Sequence, residues 1–318
     1  MLKNKYCIEE ISLNEYTKII NEKNTYVPIY MQPDAIKFYK KVEIIKICKS
    51  NNIVALYAYP VFQAGEELWV KREYRFLPYS SPLFFDEYDT LELKKICYEI
   101  FKYMFQKYKV TYIPLAPNFK SISSIQSLGG FIEERSTNIV QEKIDFVNLS
   151  SKLKNHIRHA EKTVKIDITQ DCNEFNYESA IKGNEEEQYN RKKMARFLVK
   201  KKKGVIVNAY ENGENIAGAL IIYDMKSAYL LHTWQNIDTT RGTIPLIIYK
   251  AINWCFENLK INTFDFEGSV IDSIDDFFAT FNTKISVYPY IHFAQESDDL
   301  IKIIKRSINI TGRKKENE

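Results

Sequence analysis

Three apolar stretches between residues 204 and 235 constrain the fold of this chain more than any other feature. They read GVIVNAY, NIAGALIIY and AYLLHTWQ, and each has the length and the β-branched or aromatic content of a strand. An Asn-Gly pair at 212–213 separates the first two, and DMKS at 224–227 precedes the third. Because Asn-Gly between apolar runs is the strongest short-range hairpin signal, an antiparallel three-stranded meander is predicted here.

The segments after the meander alternate between helix and strand patterns. TIPLIIYKAINWCFENL has the length and spacing of a buried helix, with Pro245 in its first turn, where a missing N–H is tolerated. NTFDFEG reads as a strand, SVIDSIDDFFATF as a helix with Ser269 as its cap, and KISVYPYIHF as a further strand. SDDLIKIIKRSI is predicted to be the last helix, with acids at its start and bases at its end. The second half therefore reads β-β-β-α-β-α-β before that helix.

The first half predicts a second sheet with helices. Residues 44–70 read as two strands joined by a turn at Asn51-Asn52, and TLELKKICYEIFKYMFQKY reads as an amphipathic helix. VTYIPLAP is predicted to be a strand, and SISSIQSLGGF a short helix that ends at Gly129 and Gly130. The predicted fold class is α/β (α+β), with both halves built from a mixed sheet and flanking helices.

Composition limits the class of protein. A chain of 318 residues, 45% of them apolar, is long enough for two domains with cores of their own. Five scattered cysteines without a CxxC pair indicate reduced thiols, and four histidines without zinc spacing predict no metal site. No apolar run is long enough for a signal peptide or a transmembrane segment, so a cytoplasmic protein is expected. The net charge of +4 is small for a dedicated nucleic-acid binder.

Two stretches resemble motifs of a known family. NHIRHAEK (155–162) is similar to the N-x-R-K-A-x-K helix of the Fem family of peptidoglycan-bridge aminoacyltransferases. FDFEGSVIDSIDDFFATFNTKISVYPY (264–290) resembles the DFEGS…FxxsFG segment of Fem-like GNAT acyltransferases, a branch associated with surface-polysaccharide synthesis. PIYMQPDAIKFY (28–39) and LPYSSPLFF (77–85) resemble the family's N-terminal motifs, although Ala35 stands where Trp is common. The GNAT phosphate-binding pattern Q/R-x-x-G-x-G/A is not intact in QNIDTTRGTIP.

The resemblance implies two tandem GNAT-like domains, each a mostly antiparallel sheet flanked by helices. Residues 1–150 would form the acceptor side and 151–318 the donor side, with the last helix packing back on the first domain. It also implies transfer of an acyl or aminoacyl group to an amine or hydroxyl of a cell-envelope or polysaccharide precursor. The acceptor would be a small molecule or a lipid- or nucleotide-linked sugar. Acyl-CoA and aminoacyl-tRNA both stay open as donors, so tRNA is a potential partner.

Two carboxylates in FDFEGS are the predicted catalytic residues. On a strand, Asp265 and Glu267 alternate with Phe264 and Phe266 and project to one side. The resemblance implies that this strand splays away from AYLLHTWQ and that the acyl end of the donor lies in the gap. Glu267 is then the predicted general base, with Asp265 beside it, a role in which burial must raise the carboxylate pKa. The alternative is a carboxylate that only bonds backbone groups of the splay.

Further substrate contacts are predicted around these carboxylates and in the first half. Gly268 would let the backbone approach a ligand closely, and Ser269 follows it. His232 and Trp234, two residues apart on the neighbouring strand, would line the same pocket wall, although a buried core histidine is the alternative. In the LPYSSP motif, Tyr79 is the predicted contact.

The segment NHIRHAEKTVKI is rich in bases. If it is one helix, Arg158, Lys162 and Lys165 share a face at i, i+4 and i+7, and Lys154 joins it one turn earlier. Such a row would suit a substrate phosphate, and a solvated amphipathic helix is the alternative. EEEQYNRKKMARFLVKKKKG (185–204) is likewise a surface helix or a track for tRNA phosphates.

Three other functions stay open. One is an acetyl-CoA-dependent N-acetyltransferase of a nucleotide amino sugar, and another is a catalytically inactive Fem-like binding protein. The third, an RNA-binding module, is disfavoured by the modest charge and the lack of an RNA motif.

Overall fold

The chain divides into two compact units. The computed structural model describes residues 6–72, 77–117, 119–171, 185–268 and 271–296, with the backbone alone at 185–188. Unit 1 is formed by residues up to 136 and from 287 onwards, and unit 2 by residues 137–286. These divisions fall inside two strands, whereas the predicted boundary was at 150/151. The predicted last helix lies outside the described residues.

Within the described residues, unit 1 is a mostly antiparallel sheet with four α-helices. Its neighbouring strands run in the order β1, β2, β3, β4, β6, β13, with β5 on β3; β4 and β6 pair in parallel, and the other pairs in this order are antiparallel. The strands are β1 (Tyr6–Glu10), β2 (Val42–Lys49), β3 (Asn52–Ala64), β4 (Glu67–Lys71), β5 (Leu83–Phe84), β6 (Val110–Pro114), β7 (Phe131–Val140) and β13 (Lys284–Ala294), of which β7 and β13 cross the division. The helices are α1 (Leu13–Lys23), α2 (Pro33–Ile36), α3 (Thr90–Lys107) and α4 (Ile122–Gln126).

Local sequence explains the two main elements of unit 1. The β2–β3 turn consists of Ser50 and Asn51, with φ of 48° and 69°, one residue earlier than predicted. Both central residues of such a tight turn need a positive φ, which suits the right-handed twist of the strands. Helix α3 begins after Asp89, whose carboxylate accepts the Glu92 N–H at 2.8 Å, and it buries an apolar stripe that includes Ile96, Ile100 and Met104.

Unit 2 is likewise a mostly antiparallel sheet with helices. Its described strands run in the order β7, β12, β11, β10, β9, β8, in which β11 and β12 pair in parallel and the other pairs are antiparallel. The additional strands are β8 (Val164–Thr169), β9 (Gly204–Glu211), β10 (Glu214–Tyr223), β11 (Ser227–Gln235) and β12 (Thr263–Asp265). The helices are α5 (Ser151–Ala160), α6 (Glu185–Lys200), α7 (Thr243–Trp254) and α8 (Asp272–Ala279). The predicted meander and its Asn212-Gly213 turn are confirmed, with φ of 52° and 87°.

Helices cover both faces of the unit 2 sheet. The core on one face combines α5 and α7 with alternate strand residues such as Val205, Val207 and Ile221. Helix α6 contacts β9 and β10 from the other face, where its Met194 and Leu198 are buried. Helix α8 begins at Asp272 with Ile271 in the cap position, and Ser269, the predicted cap, lies outside the described residues.

No described helix is long and apolar enough to cross a lipid bilayer.

One close contact in the meander depends on a glycine. Gly218 on β10 is paired with Trp234 on β11, and a Cβ at Gly218 would lie 2.1 Å from the indole Cζ2. Trp234 is only 5% exposed, so the ring has little room to move. The flat approach of the indole therefore requires glycine on the neighbouring strand.

We expect Gly218→Ala to lower the free energy of unfolding by about 1–3 kcal/mol, because the added methyl overpacks the site. Urea denaturation followed by circular dichroism measures this change. Adding Trp234→Phe removes the clashing ring and should restore part of the loss in a double-mutant cycle. A change below about 0.5 kcal/mol in Gly218→Ala would contradict the packing described here.

Candidate active site

The predicted catalytic carboxylates lie at the end of β12, and the geometry differs from the prediction. The strand ends at Asp265, and both Glu267 and Gly268 have left-handed φ, of 64° and 65°. The two-residue alternation of a strand therefore does not extend to Glu267, and the expectation that both carboxylates project to one side of a strand was wrong. A tight turn, rather than strand pleating, orients Glu267.

Asp265 closes that turn. Its side chain is buried, and Oδ1 accepts hydrogen bonds from the Thr137 hydroxyl on β7 at 2.6 Å and from the Glu267 amide at 2.7 Å. A buried carboxylate with two donors is anchored and desolvated. This arrangement fits a residue that positions Glu267 better than one that exchanges protons with a substrate.

Glu267 is in an unusual conformation. A left-handed backbone costs a residue with a Cβ about 1–2 kcal/mol, and glycine avoids that cost. The side chain is half-buried, with Oε1 shielded from solvent. Strain of this kind persists only where the surrounding structure enforces it, as Asp265 and Thr137 do here, and it is common at functional sites.

Strands β11 and β12 separate next to this turn. Their parallel register covers only Ser227–Tyr229 against Thr263–Asp265, although β11 continues to Gln235. Beyond Asp265 the chain stays with β7, since the Phe266 amide donates to the Asn138 carbonyl at 3.0 Å. The expected splay of β11 from β12 is therefore present. Asp265 is the last β12 residue that pairs with β11, and Glu267 lies two residues beyond it.

His232 and Trp234 lie on the part of β11 beyond the splay point. Both are 5% exposed, and their register with Leu220 and Gly218 places them on one sheet face, the face that α6 covers. The pairing shifts between Leu220 and Ile221, so β11 carries an extra residue before His232. The structure thus places both side chains on a common face, as predicted, and on the face that also carries Tyr229 and Asp265.

The basic segment is not a continuous helix. Helix α5 ends at Ala160, Lys162 lies in the following turn and Lys165 on β8, so the predicted row at i, i+4 and i+7 was wrong. The helix stops because the Lys162 and Thr163 amides bond to carbonyls three residues back.

Lys154 and Arg158, the two predicted bases on α5, contact the segment that precedes the helix. The Lys154 Nζ donates to the Val147 carbonyl at 3.1 Å, and the Arg158 guanidinium lies 5.2 Å from the Phe146 ring centroid. Arg158 and Lys162 are both exposed. These bases can reach a ligand in solvent, but they are not preorganised around one.

A second group of bases, which the sequence did not reveal, meets beside α5. The α7 cap residue Gly242 has φ of 96°, and a Cβ there would lie 2.1 Å from the His156 carbonyl oxygen. This close approach brings Arg241 near His156. Burial lowers the pKa of His156, and the charges of Arg241 and Lys152 lower it further.

In unit 1, Tyr79 joins an aromatic row. It is 3% exposed and packs edge-to-face against Tyr30 at 5.7 Å and Tyr288 at 5.3 Å between ring centroids. Tyr30 belongs to the PIYMQP motif and Tyr288 to β13. Motifs that are far apart in sequence therefore meet at Tyr79.

Thr137 and Asn138 support this region without any sequence motif that indicates it. Both are buried on β7; Thr137 anchors Asp265, and Asn138 donates to Asp275 of α8 at 2.6 Å. The strand pattern of TNIV could have predicted β7, but no local signal connects Thr137 with a carboxylate 128 residues later.

A separate cavity of about 660 Å³ lies between β8 and α7. It is lined by Ile166, Ile168 and Tyr249 among others, and ion pairs from Lys250 to Glu161 and from Lys143 to Glu257 lie at its rim. None of the predicted site residues lines it, so cavity size alone does not identify the reactive region.

Comparison with known proteins supports the fold. No protein-family model and no curated protein sequence matches this chain. Among solved structures, FemX is 10% identical, with a TM-score of 0.62 over 93% of this chain and 99% of that one. L-PGS from Bacillus licheniformis is 12% identical, with a TM-score of 0.54 over 93% and 97%.

A tandem GNAT protein from the clavulanic acid biosynthesis pathway is 5% identical, with a TM-score of 0.54 over 91% of this chain and 98% of that one. At sequence identities this low, structural similarity indicates a shared fold and does not indicate a shared activity. The chain has a Fem-like fold of tandem GNAT-like units, as its sequence motifs predicted.

Proposed function

We propose that this protein is an acyltransferase that moves an acyl or aminoacyl group to an amine or hydroxyl of a cell-envelope or polysaccharide precursor. The observation that carries the proposal is the splay of β11 from β12, with Glu267 held in a left-handed turn where it opens. The FemX-like and tandem GNAT-like fold supports this class of reaction. The proposed acceptor is a small molecule or a lipid- or nucleotide-linked sugar, and the proposed location is the cytoplasm.

The proposed reaction is a direct transfer. The acceptor nucleophile attacks the carbonyl carbon of a thioester or ester in the gap, and Glu267 takes the proton that the nucleophile loses. The bond to the leaving group then breaks, and the thiolate or alkoxide that leaves takes up that proton from Glu267, which returns the carboxylate to its starting state. Asp265 keeps Glu267 in position, while His232, Trp234 and Gly268 bound the gap. Holding the two substrates close together in the right orientation would account for much of the rate enhancement.

The donor is acyl-CoA or aminoacyl-tRNA, and a thermal-shift comparison separates them. A ligand at about a hundred times its dissociation constant stabilises the folded state by roughly 2.7 kcal/mol, which should raise the melting temperature by several degrees. A shift with acetyl-CoA alone indicates a thioester donor, and a shift with charged tRNA that disappears at high salt indicates a Fem-type donor. An absence of both shifts, together with no acyl transfer, would favour a binding protein.

Glu267→Gln should lower kcat by about 100-fold or more if Glu267 is the general base. Glu267→Gly should lower it equally while leaving the free energy of unfolding unchanged or higher by up to about 1 kcal/mol, because glycine adopts the left-handed turn without strain. Steady-state kinetics and urea denaturation measure the two effects. Full turnover in Glu267→Gln would rule out the base role.

Asp265 provides the matched control. Asp265→Asn keeps an oxygen that can accept from Thr137 and from the Glu267 amide, so it should retain most of the activity, whereas Asp265→Ala should lose both activity and stability. If Asp265→Asn were as inactive as Glu267→Gln, Asp265 would share in proton transfer, as its sequence pattern first suggested.

Arg158→Ala should weaken binding of the phosphate-bearing donor by about 3- to 10-fold and reduce the salt slope of binding by about one, because one phosphate contact is lost. Binding titrations between low and high salt measure both quantities. Lys18→Gln, which removes an exposed base of α1, is the control and should change neither. Unchanged affinity of Arg158→Ala at every salt concentration would exclude this contact, and Lys154 and Lys162 would be tested next.

A further inference from the structure

One face of the unit 1 sheet carries a cluster of polar and aromatic side chains. Strands β6, β7 and β13 contribute Tyr112, Glu133, Arg135, Tyr290 and His292. Side chains of neighbouring residues on a strand point to opposite faces. The alternate β13 residue Phe293 stacks on Phe105 of α3 at 3.8 Å, so the cluster lies on the face that points away from α3.

Arg135 is held rigidly within this cluster. Its Nε donates to Glu133 Oε1 at 2.7 Å, and its Nη2 donates to Glu133 Oε2 at 2.9 Å and to the Tyr112 hydroxyl at 3.0 Å. The guanidinium lies 3.9 Å from the centroid of the Tyr290 ring. Bidentate pairing and stacking together fix both the position and the plane of the guanidinium.

Glu133 is anchored in turn by His292. The imidazole Nε2 lies 2.7 Å from Glu133 Oε2, and His292 is 1% exposed. Burial acts to raise the pKa of Glu133, but the hydrogen bonds with His292 and Arg135 outweigh it and lower the pKa to about 2. The carboxylate is therefore ionised at neutral pH, and both of its oxygens point into the cluster.

The Nη1 end of the guanidinium has no hydrogen-bond acceptor in the part of the chain that the structure describes. The Arg135 side chain is 17% exposed. A second cation is close, because the charges of Arg72 and Arg135 both act on the Tyr290 hydroxyl, whose pKa burial raises. The guanidinium groups of Arg72 and Arg135 thus both lie near Tyr290, and Glu133 is the carboxylate that pairs with Arg135.

We propose that Arg135 binds an anionic group, a phosphate or a carboxylate, of a ligand that contacts this face of unit 1. Glu133 and His292 act through Arg135 as positioning residues, and Tyr112 and Tyr290 set the plane of the guanidinium. A fixed guanidinium with free N–H groups loses little entropy when it binds an anion. Anion binding by Arg135 requires no acyl donor, so this proposal does not depend on the transfer reaction proposed above.

The test is isothermal titration calorimetry without any donor, at constant ionic strength, with inorganic pyrophosphate in one arm and succinate in the other. We expect the wild-type protein to bind at least one of them and Arg135→Gln to bind it about 10- to 100-fold more weakly, as the loss of charge-assisted hydrogen bonds predicts. Lys18→Gln, a surface control in the same unit, should bind like the wild type. A preference for pyrophosphate identifies a phosphate ligand, and a preference for succinate identifies a carboxylate.

Glu133→Gln tests the positioning role. Alone it should weaken binding, but added to Arg135→Gln it should have no further effect on affinity, because it acts through Arg135. A loss of structure alone would not produce that pattern.

Native-like affinity of a folded Arg135→Gln for both anions would overturn the proposal, as would a wild-type protein that binds neither. If Arg135→Gln does not fold, Arg135→Lys takes its place. A lysine keeps the charge but cannot form the paired hydrogen bonds with Glu133 and Tyr112, so wild-type affinity in that variant would equally overturn the proposal.

Discussion

Two hydrogen bonds to one carboxylate oxygen organise the region of unit 2 where the sheet opens. Asp265 Oδ1 accepts from Thr137 on β7 and from the Glu267 amide, so the same oxygen joins β12 to β7 and closes the left-handed turn. Because the chain then follows β7, β11 has no β12 partner beyond Tyr229, although it stays paired with β10. The gap between the strands and the strained conformation of Glu267 thus have one physical origin.

The fold tolerates great divergence of sequence. Structures 5–12% identical to this chain share the fold over more than nine-tenths of its length. Cores accept many apolar substitutions as long as pattern and volume are kept, so alternation along strands suffices to specify the sheet. A catalytic or binding site does not tolerate such substitutions, because its chemistry depends on particular contacts, here those of Asp265, Glu267 and Arg135.

Local patterns predict some of the polar and aromatic positions and not others. The DFEGS motif indicated Glu267, and strand pleating, which is local, placed His232 and Trp234 on one face. The helical spacing of the bases predicted one helix through Lys162 and Lys165, whereas the chain turns after Ala160 into an edge strand. Ile157, Ala160 and Val164 keep helical spacing across the end of α5, so the apolar pattern could not locate that end.

Local sequence signals were enough to predict the meander, its Asn212-Gly213 turn, helices α3 and α7, and the order of elements from β9 to β13, because each depends on periodicity or turn chemistry within about twenty residues. Which strands are neighbours, where β11 and β12 separate and which polar groups meet depend instead on long-range contacts. Asp265 contacts Thr137 across 128 residues and His292 contacts Glu133 across 159. Contacts at such separations form when the sheets assemble, and no local pattern in the sequence encodes them.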